Sequence, residues 1–255
     1  MAGSAHAGPG RVCPQGVCNG SGWVLGEDDV AHECACRGER IRRAHSSGIG
    51  SGIPKRFRRL IQEASFDRNP VRDLDPYVVE DTRRFTRRIE ENIGAGRGRW
   101  FFGDTGAGKT LLAMLISKAA LDSGLSVAIY SVPHLLAEIQ ETYEDESTRS
   151  YMELFRRLSS VDLLHLNDLG TERRTDWVLE QLYSIVNERW QEERSVVVTT
   201  NLSHAELREQ VGDRTVSRLF GICGEPLPVM GPDLRRASTP GIEVSRSADA
   251  LSGEG

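Results

Sequence analysis

The chain is expected to fold as an α/β domain with a mostly parallel sheet covered by helices, preceded by a small cysteine-rich module. Three observations lead there. Gly103-Asp104-Thr105-Gly106-Ala107-Gly108-Lys109-Thr110 has the spacing G-x-x-x-x-G-K-T of a phosphate-binding loop, set between an apolar run and an apolar helix. Downstream, β-branched apolar runs alternate with helical periodicity, the pattern of parallel strands joined by helical crossovers. Four of the five cysteines lie between positions 13 and 36, a local cluster that suits a metal site better than a dispersed disulfide framework.

Bulk composition narrows the classes. A length of 255 residues accommodates one large α/β domain and a small appendage. A net charge of −5 argues against a general polyanion binder. No apolar run reaches the length of a membrane span, and the N-terminus lacks the apolar core of a secretory signal, so a soluble, cytoplasmic protein without membrane partners is expected.

Taken in order, residues 1–12 are small, Gly/Ala-rich and aperiodic, and are expected to be disordered. Cys13, Cys18, Cys34 and Cys36 then supply two pairs of thiols on tight turns, a set able to form a tetrahedral Zn²⁺ site, with His32 as a substitute for one thiol. The spacings are irregular, four residues in the first pair and one in the second, and free cysteines in a metal-free finger are the alternative. A segment this short needs such a staple to fold. Arg37 to Arg59 is basic and is interrupted by the flexible linker Ser46–Gly52. Arg56, Arg58 and Arg59 either touch nucleic-acid phosphates or form a solvated helix face.

Val78 to Ile93 reads as one amphipathic helix closed by Gly94-Ala95-Gly96, and it leads to the strand Trp100-Phe101-Phe102. Beyond the glycine-rich loop, the run from Leu111 is helical. In that loop the glycines let successive backbone N–H groups point at phosphate oxygens, and the helix N-terminus adds its own donors. Lys109 can reach the β- and γ-phosphates of a nucleoside triphosphate, and Thr110 offers a hydroxyl to Mg²⁺. Leu125–Tyr130 is a second strand, Pro133 opens a helix, a polar break covers Glu144–Ser150, and a short helix spans Met152 to Leu158. Val161–Leu166 reads as a buried strand, Trp177–Trp190 as a helix and Ser195–Asn201 as a strand. From Gly231 onward the composition is polar, and a loose tail is expected at 237–255.

Hydrolysis needs polar groups beside the loop. Asn167 and Asp168 end a strand where an acidic pair should position Mg²⁺ and polarise water. Asn167 offers only a neutral carbonyl; Asp168 serves either water or the metal. Asn201, closing the next strand, is placed to sense a γ-phosphate. Arg214 and Arg218 lie one helical turn apart, either as surface residues or as arginines presented to a neighbouring subunit's nucleotide. Arg235 and Arg236 can approach the same nucleotide from a later element. His165 is expected to be a core or surface histidine without a role.

The ordered set Phe102–Thr110, Leu163–Gly170, Val196–Asn201 and Arg214–Leu219 resembles the AAA+ ATPases of the DnaC/DnaI helicase-loader and IstB family. Ile53-Pro54-Lys55-Arg56-Phe57 followed by Ala64-Ser65-Phe66 is similar to that family's lead-in. The likeness runs over residues 53–236, and the cysteine-rich module is similar to that of DnaI-type members. The resemblance implies a partner-binding module over 1–52 and an ATPase domain over 53–236. It implies ATP, Mg²⁺ and single-stranded DNA as ligands, a hexameric replicative helicase as partner, and side-by-side self-association. It makes Lys109 and Thr110 the Walker A pair and Asp168 the second Walker B acid. Asn201 falls in sensor 1, Arg218 at the arginine finger, and Arg235 or Arg236 near sensor 2. The sequence departs from the family in carrying Asn167 for the first Walker B aspartate and in its widened Cys13–Cys18 spacing. A transposition helper of the IstB kind and an ATP-gated adaptor with little hydrolysis are the alternatives.

Overall fold

The computed structural model describes residues 13, 16–18, 23–26, 31–36, 53–143 and 150–234. The expected disorder at 1–12, the linker Ser46–Gly52, most of the break after Tyr143, Arg235, Arg236 and the tail fall outside the described residues.

A parallel five-stranded sheet carries the main domain. Its strands are β3 (Arg99–Phe102), β4 (Val127–Ser131), β5 (Leu163–Asn167), β6 (Ser195–Thr200) and β7 (Leu227–Pro228), in the spatial order β4-β5-β6-β3-β7. A separate antiparallel hairpin joins β1 (Trp23–Leu25) to β2 (Ala31–Glu33) in the cysteine-rich segment. The helices are α1 (Lys55–Glu63), α2 (Pro76–Arg87), α3 (Ile89–Gly94), α4 (Lys109–Asp122), α5 (Val132–Glu141), α6 (Tyr151–Ser160), α7 (Asp176–Gln191), α8 (His204–Val211) and α9 (Asp213–Cys223).

Strand pleating divides the core into two layers. Phe101, Val127, Ile129, Leu163 and Val197 face α1–α4, whereas Trp100, Tyr130, Leu164, Leu166, Val196 and Val198 face α5–α9. Both faces are covered, so the strands read as continuous apolar runs. α4 is apolar on nearly every side because it lies between the sheet and the α1–α3 layer: Leu112, Ala113, Met114, Ile116 and Ala120 are all buried. Helix starts follow local chemistry. Asp75 caps α2 by accepting Tyr77 N–H at 2.8 Å, Thr175 caps α7, and Ser203 with Glu206 forms a capping box on α8.

The helix expected over Val78–Ile93 is two helices. The chain turns at Arg88 (φ −118°, ψ 38°), and the Asn92 side-chain amide donates to the Phe85 carbonyl at 2.9 Å, taking an acceptor a continuous helix would use. The turn points Ile89 and Ile93 into the same core as Phe85. Other expected elements are present with ends shifted by one or two residues, as helix and strand termini are where local signals are weakest. The hairpin, α8 and the two-residue β7 were not expected. Among the described residues, no helix is long and apolar enough to cross a membrane.

Candidate nucleotide site and thiol cluster

Three parallel strands deliver polar residues to one edge of the sheet. β3 ends at Phe102, paired with Thr200 of β6, and β5 pairs Leu166 with Val198. This register brings the glycine-rich loop after β3, Asn167 at the end of β5 and Thr199 in β6 side by side at the carboxyl ends of the strands, where open α/β sheets place ligands.

The loop owes its path to glycine. Gly103, Gly106 and Gly108 have φ of 133°, 80° and 105°, a region L side chains rarely adopt. Gly108 is the N-cap of α4, so the free donors of that helix open into the loop. Lys109 is buried, and its ammonium donates to the carbonyls of Gly103 (2.8 Å) and Asp104 (2.6 Å), which folds the lysine back over the loop. Thr110 Oγ1 donates to Asn167 Oδ1 at 3.0 Å. Asp168 follows at φ 59°, with Asn167 Nδ2 donating to its carboxylate at 2.7 Å.

The chain returns to this loop after β7. Val229 N–H donates to Phe102 O (2.7 Å), Gly231 N–H to the Asp104 carboxylate (3.2 Å) and Leu234 N–H to Gly106 O (3.1 Å). A Cβ on Gly106 would collide with the Asp233 carboxylate. Leu74 and Leu234 lie against Gly108.

The structure therefore brings Gly103–Thr110, Asn167 and Asp168 together. Asn201 is exposed one residue beyond the Phe102–Thr200 pair, next to the start of the loop. Arg218 lies elsewhere: on α9, it donates to Asn187 Oδ1 at 3.0 Å and its guanidinium sits 3.9 Å from the Trp190 ring centre. Arg56, Arg58 and Arg59 lie exposed along α1. His165 is a core residue. Ser117 Oγ lies 3.1 Å from Ala113 O and shares a hydrogen bond with His165 Nδ1 at 3.0 Å, and among the described residues Nε2 has no partner. Burial lowers the His165 pKa to about 3.

Sequence reasoning missed Thr199, the return of Asp233 to the loop and an aromatic cluster. Tyr143 stacks on Tyr151 (5.8 Å between ring centres) and meets Trp177 edge-on (6.5 Å), and Tyr151 stacks on Phe155 (5.9 Å). Tyr143 is 56% exposed. No sequence signal pairs these rings, since they come from three separate helix ends.

Among the described residues, Cys13, Cys18, Cys34 and Cys36 form the group suited to a metal, with all four Sγ atoms within 4.8 Å of one another. Cys13 and Cys34 are 3.9 Å apart, and Cys18 and Cys36 are 3.4 Å apart. Zn–S bonds of about 2.3 Å at tetrahedral angles require S···S edges of roughly 3.8 Å, so the four thiols fit the ion despite their irregular spacing. The set is complete without His32, which is exposed on β2.

Hard oxygen donors at Thr110, Asn167 and Asp168, set beside a lysine-bearing glycine loop at a helix N-terminus, suit Mg²⁺ and a triphosphate. That combination of site and parallel sheet defines a P-loop nucleotide-binding domain of the AAA+ class. Residues 51–220 match the family described as IstB-like ATP binding protein, and the chain belongs to that family. The replicative helicase loader DnaC of Buchnera aphidicola (subsp. Acyrthosiphon pisum) is 28% identical over 164 residues, 64% of this chain and 65% of that protein. DnaC of Escherichia coli K12 is 25% identical over 184 residues, 66% of this chain and 74% of that one. The chain thus spans just under two thirds of the first of these relatives. A crystal structure of the DnaC helicase loader shares the fold with a TM-score of 0.58 at 23% identity, over 69% of this chain and 99% of that chain. A DnaI crystal structure gives 0.53 at 20% identity, over 71% and 93%.

Proposed function

We propose that the protein is an ATP-dependent loader of a hexameric replicative helicase onto single-stranded DNA, binding ATP with Mg²⁺ and hydrolysing it slowly. The observation that carries this reading is the pairing of an IstB-family ATPase domain, whose relatives bear the name replicative helicase loader, with a four-thiol module ahead of it. A helper of the IstB kind would not be expected to carry such a module. Residues 1–52 serve as the partner-binding part, 53–236 as the ATPase and 237–255 as a tail.

Within the ATPase, Gly103–Thr110 cradle the phosphates and Lys109 leaves its loop carbonyls for the β- and γ-phosphates. Thr110, Asn167 and Asp168 hold Mg²⁺ and its waters, with Asp168 as the only carboxylate of the three. Asn201 reads the γ-phosphate, and Arg235 or Arg236 approaches it from the later element. Arg218 acts in trans after self-association, leaving Trp190 to meet the neighbour's nucleotide. Tyr143, exposed and stacked on the partly buried Tyr151, supports single-stranded DNA as ligand, because an exposed ring accepts an unpaired base by stacking.

Steady-state ATP hydrolysis with and without single-stranded DNA, beside Lys109→Ala, tests the ATPase. DNA-stimulated turnover that disappears in Lys109→Ala supports a motor; tight ATP binding with no turnover above that control leaves an ATP-gated adaptor. Capture of a replicative helicase by the full chain, compared with a Cys34→Ser, Cys36→Ser double variant, tests the loader. Capture that survives in the double variant argues against the thiol module as the docking part.

A further inference from the structure

The ends of β5 and β6 form a hydrogen-bonded clasp whose donors and acceptors sort unambiguously. Asp168 N–H donates to Thr199 Oγ1 at 3.0 Å, so the hydroxyl's own proton goes to Asn167 Oδ1, also 3.0 Å away. Thr110 Oγ1 gives its proton to the same amide oxygen at 3.0 Å. The Asp168 carboxylate only accepts when ionised, and it takes Asn167 Nδ2 at 2.7 Å. Both ends of the amide are thus assigned by partners that admit one orientation. Asp168 itself has φ 59°, and this left-handed conformation is tied down twice more: Thr171 Oγ1 donates to its carbonyl at 2.8 Å, and Leu169 N–H donates to Thr199 O at 2.9 Å.

An aspartate at position 167 could accept from both hydroxyls. It could not donate to Asp168, and it would press a second negative charge against that carboxylate. Asn167 is therefore suited to something an aspartate cannot do at this distance. Thr199 is equally specific, because a valine of the same shape would remove one acceptor and one donor at once.

We propose that Thr199 is a positioning residue that fixes the backbone of Asp168, and that Asn167, besides its place at the Mg²⁺ site, orients the Asp168 carboxylate and is no degraded aspartate. This rests on the reading that Asp168 serves Mg²⁺ or water in ATP hydrolysis. Thr199 does not touch nucleotide; it acts through its neighbours. It is fully buried, whereas the P-loop lies on another segment, so the two contributions separate experimentally.

The test uses the full chain with Thr199→Val, Thr199→Ser and Asn167→Asp, measuring ATP affinity in Mg²⁺ and in EDTA together with kcat and KM. Thr199→Val is expected to lower kcat by at least about tenfold with KM within about threefold, and to erase most of the tightening that Mg²⁺ gives to ATP binding. Affinity in EDTA stays at the wild-type value, since the loop is intact. Thr199→Ser, which keeps the hydroxyl, restores both readouts to within about threefold. Asn167→Asp lowers turnover. Wild-type behaviour of Thr199→Val on both readouts overturns the proposal, and so does a gain of turnover in Asn167→Asp. If Thr199→Val fails to fold, the isosteric Asn167→Asp decides. If the wild type itself shows no turnover above Lys109→Ala, the hydrolysis reading fails separately. The Mg²⁺ dependence of affinity then still decides the positioning role: lost in Thr199→Val it stands, unchanged it falls.

Discussion

Gly106 bears the closest approach in the nucleotide site, because its φ of 80° and the adjacent Asp233 carboxylate both forbid a side chain. Gly106→Ala is expected to weaken ATP binding by at least about tenfold while far-UV circular dichroism stays unchanged, since the loop must shift before phosphates can enter. Titration with a fluorescent ATP analogue measures it, and wild-type affinity would show that the loop adjusts freely. His165 gives a stability prediction of its own. Its pKa is about 3 in the folded chain, against about 6.5 when unfolded. Only the unfolded chain therefore takes up this proton as pH drops below 6.5, and stability falls by about 1.4 kcal/mol per pH unit down to about pH 3. Between pH 7.5 and 5 this residue alone removes roughly 2 kcal/mol, and His165→Leu should flatten that part of the curve in urea melts. The residues legible in the sequence were those whose chemistry is local. Gly103 to Thr110 announce themselves by spacing on one segment. Thr199 and Asp233 did not, since their roles depend on the register of β6 against β5 and on the return of the chain after β7.

At the scale of elements, Arg189 joins three of them. From α7 it donates to the carbonyls of Leu158 and Ser159 at the end of α6, of Val161 and Asp162 at the entry to β5, and of Ser195 at the start of β6. Burial, then the neighbouring Arg194 charge, pull its pKa down to about 9. The guanidinium is costly to bury, yet its fork satisfies a set of carbonyls no other side chain can reach together. Arg189→Met is expected to cost roughly 3–5 kcal/mol in chemical denaturation, because the orphaned carbonyls outweigh the relief of removing a buried charge. A loss under about 1 kcal/mol would mean that water replaces the guanidinium. Nothing in the Trp177–Trp190 periodicity marks Arg189 as internal; it reads as another charge on a surface helix. The same limit explains the break at Arg88. The pattern from Val78 to Ile93 is continuous in sequence, and it divides at Arg88, where the Phe85 carbonyl accepts from Arg88 N–H and from the Asn92 side chain. By contrast, the long strands were legible because a sheet covered on both faces demands unbroken apolar runs.

For the whole molecule, the question is what folds the cysteine-rich segment when the sheet domain has an extensive core of its own. Among the described residues of the segment, Cys13, Cys34 and Cys36 form a buried cluster with Cys18 and Val24 packed against them. Thiols make up most of this described cluster, and a tetrahedral zinc–thiolate site can help to offset the conformational entropy of ordering the segment. Metal analysis of the purified protein is expected to give one zinc per chain. Cys36→Ser should lose it, and acidification should release it as the thiolates take up protons. The sheet domain, with Trp100 in one buried layer and Leu163 and Val197 in the other, should melt at the wild-type temperature in that variant. Loss of zinc together with loss of the domain's melting transition would mean that the two parts fold as one unit. A chain that holds no zinc at neutral pH, with all four thiols reactive towards a thiol reagent, would leave the segment as a metal-free finger.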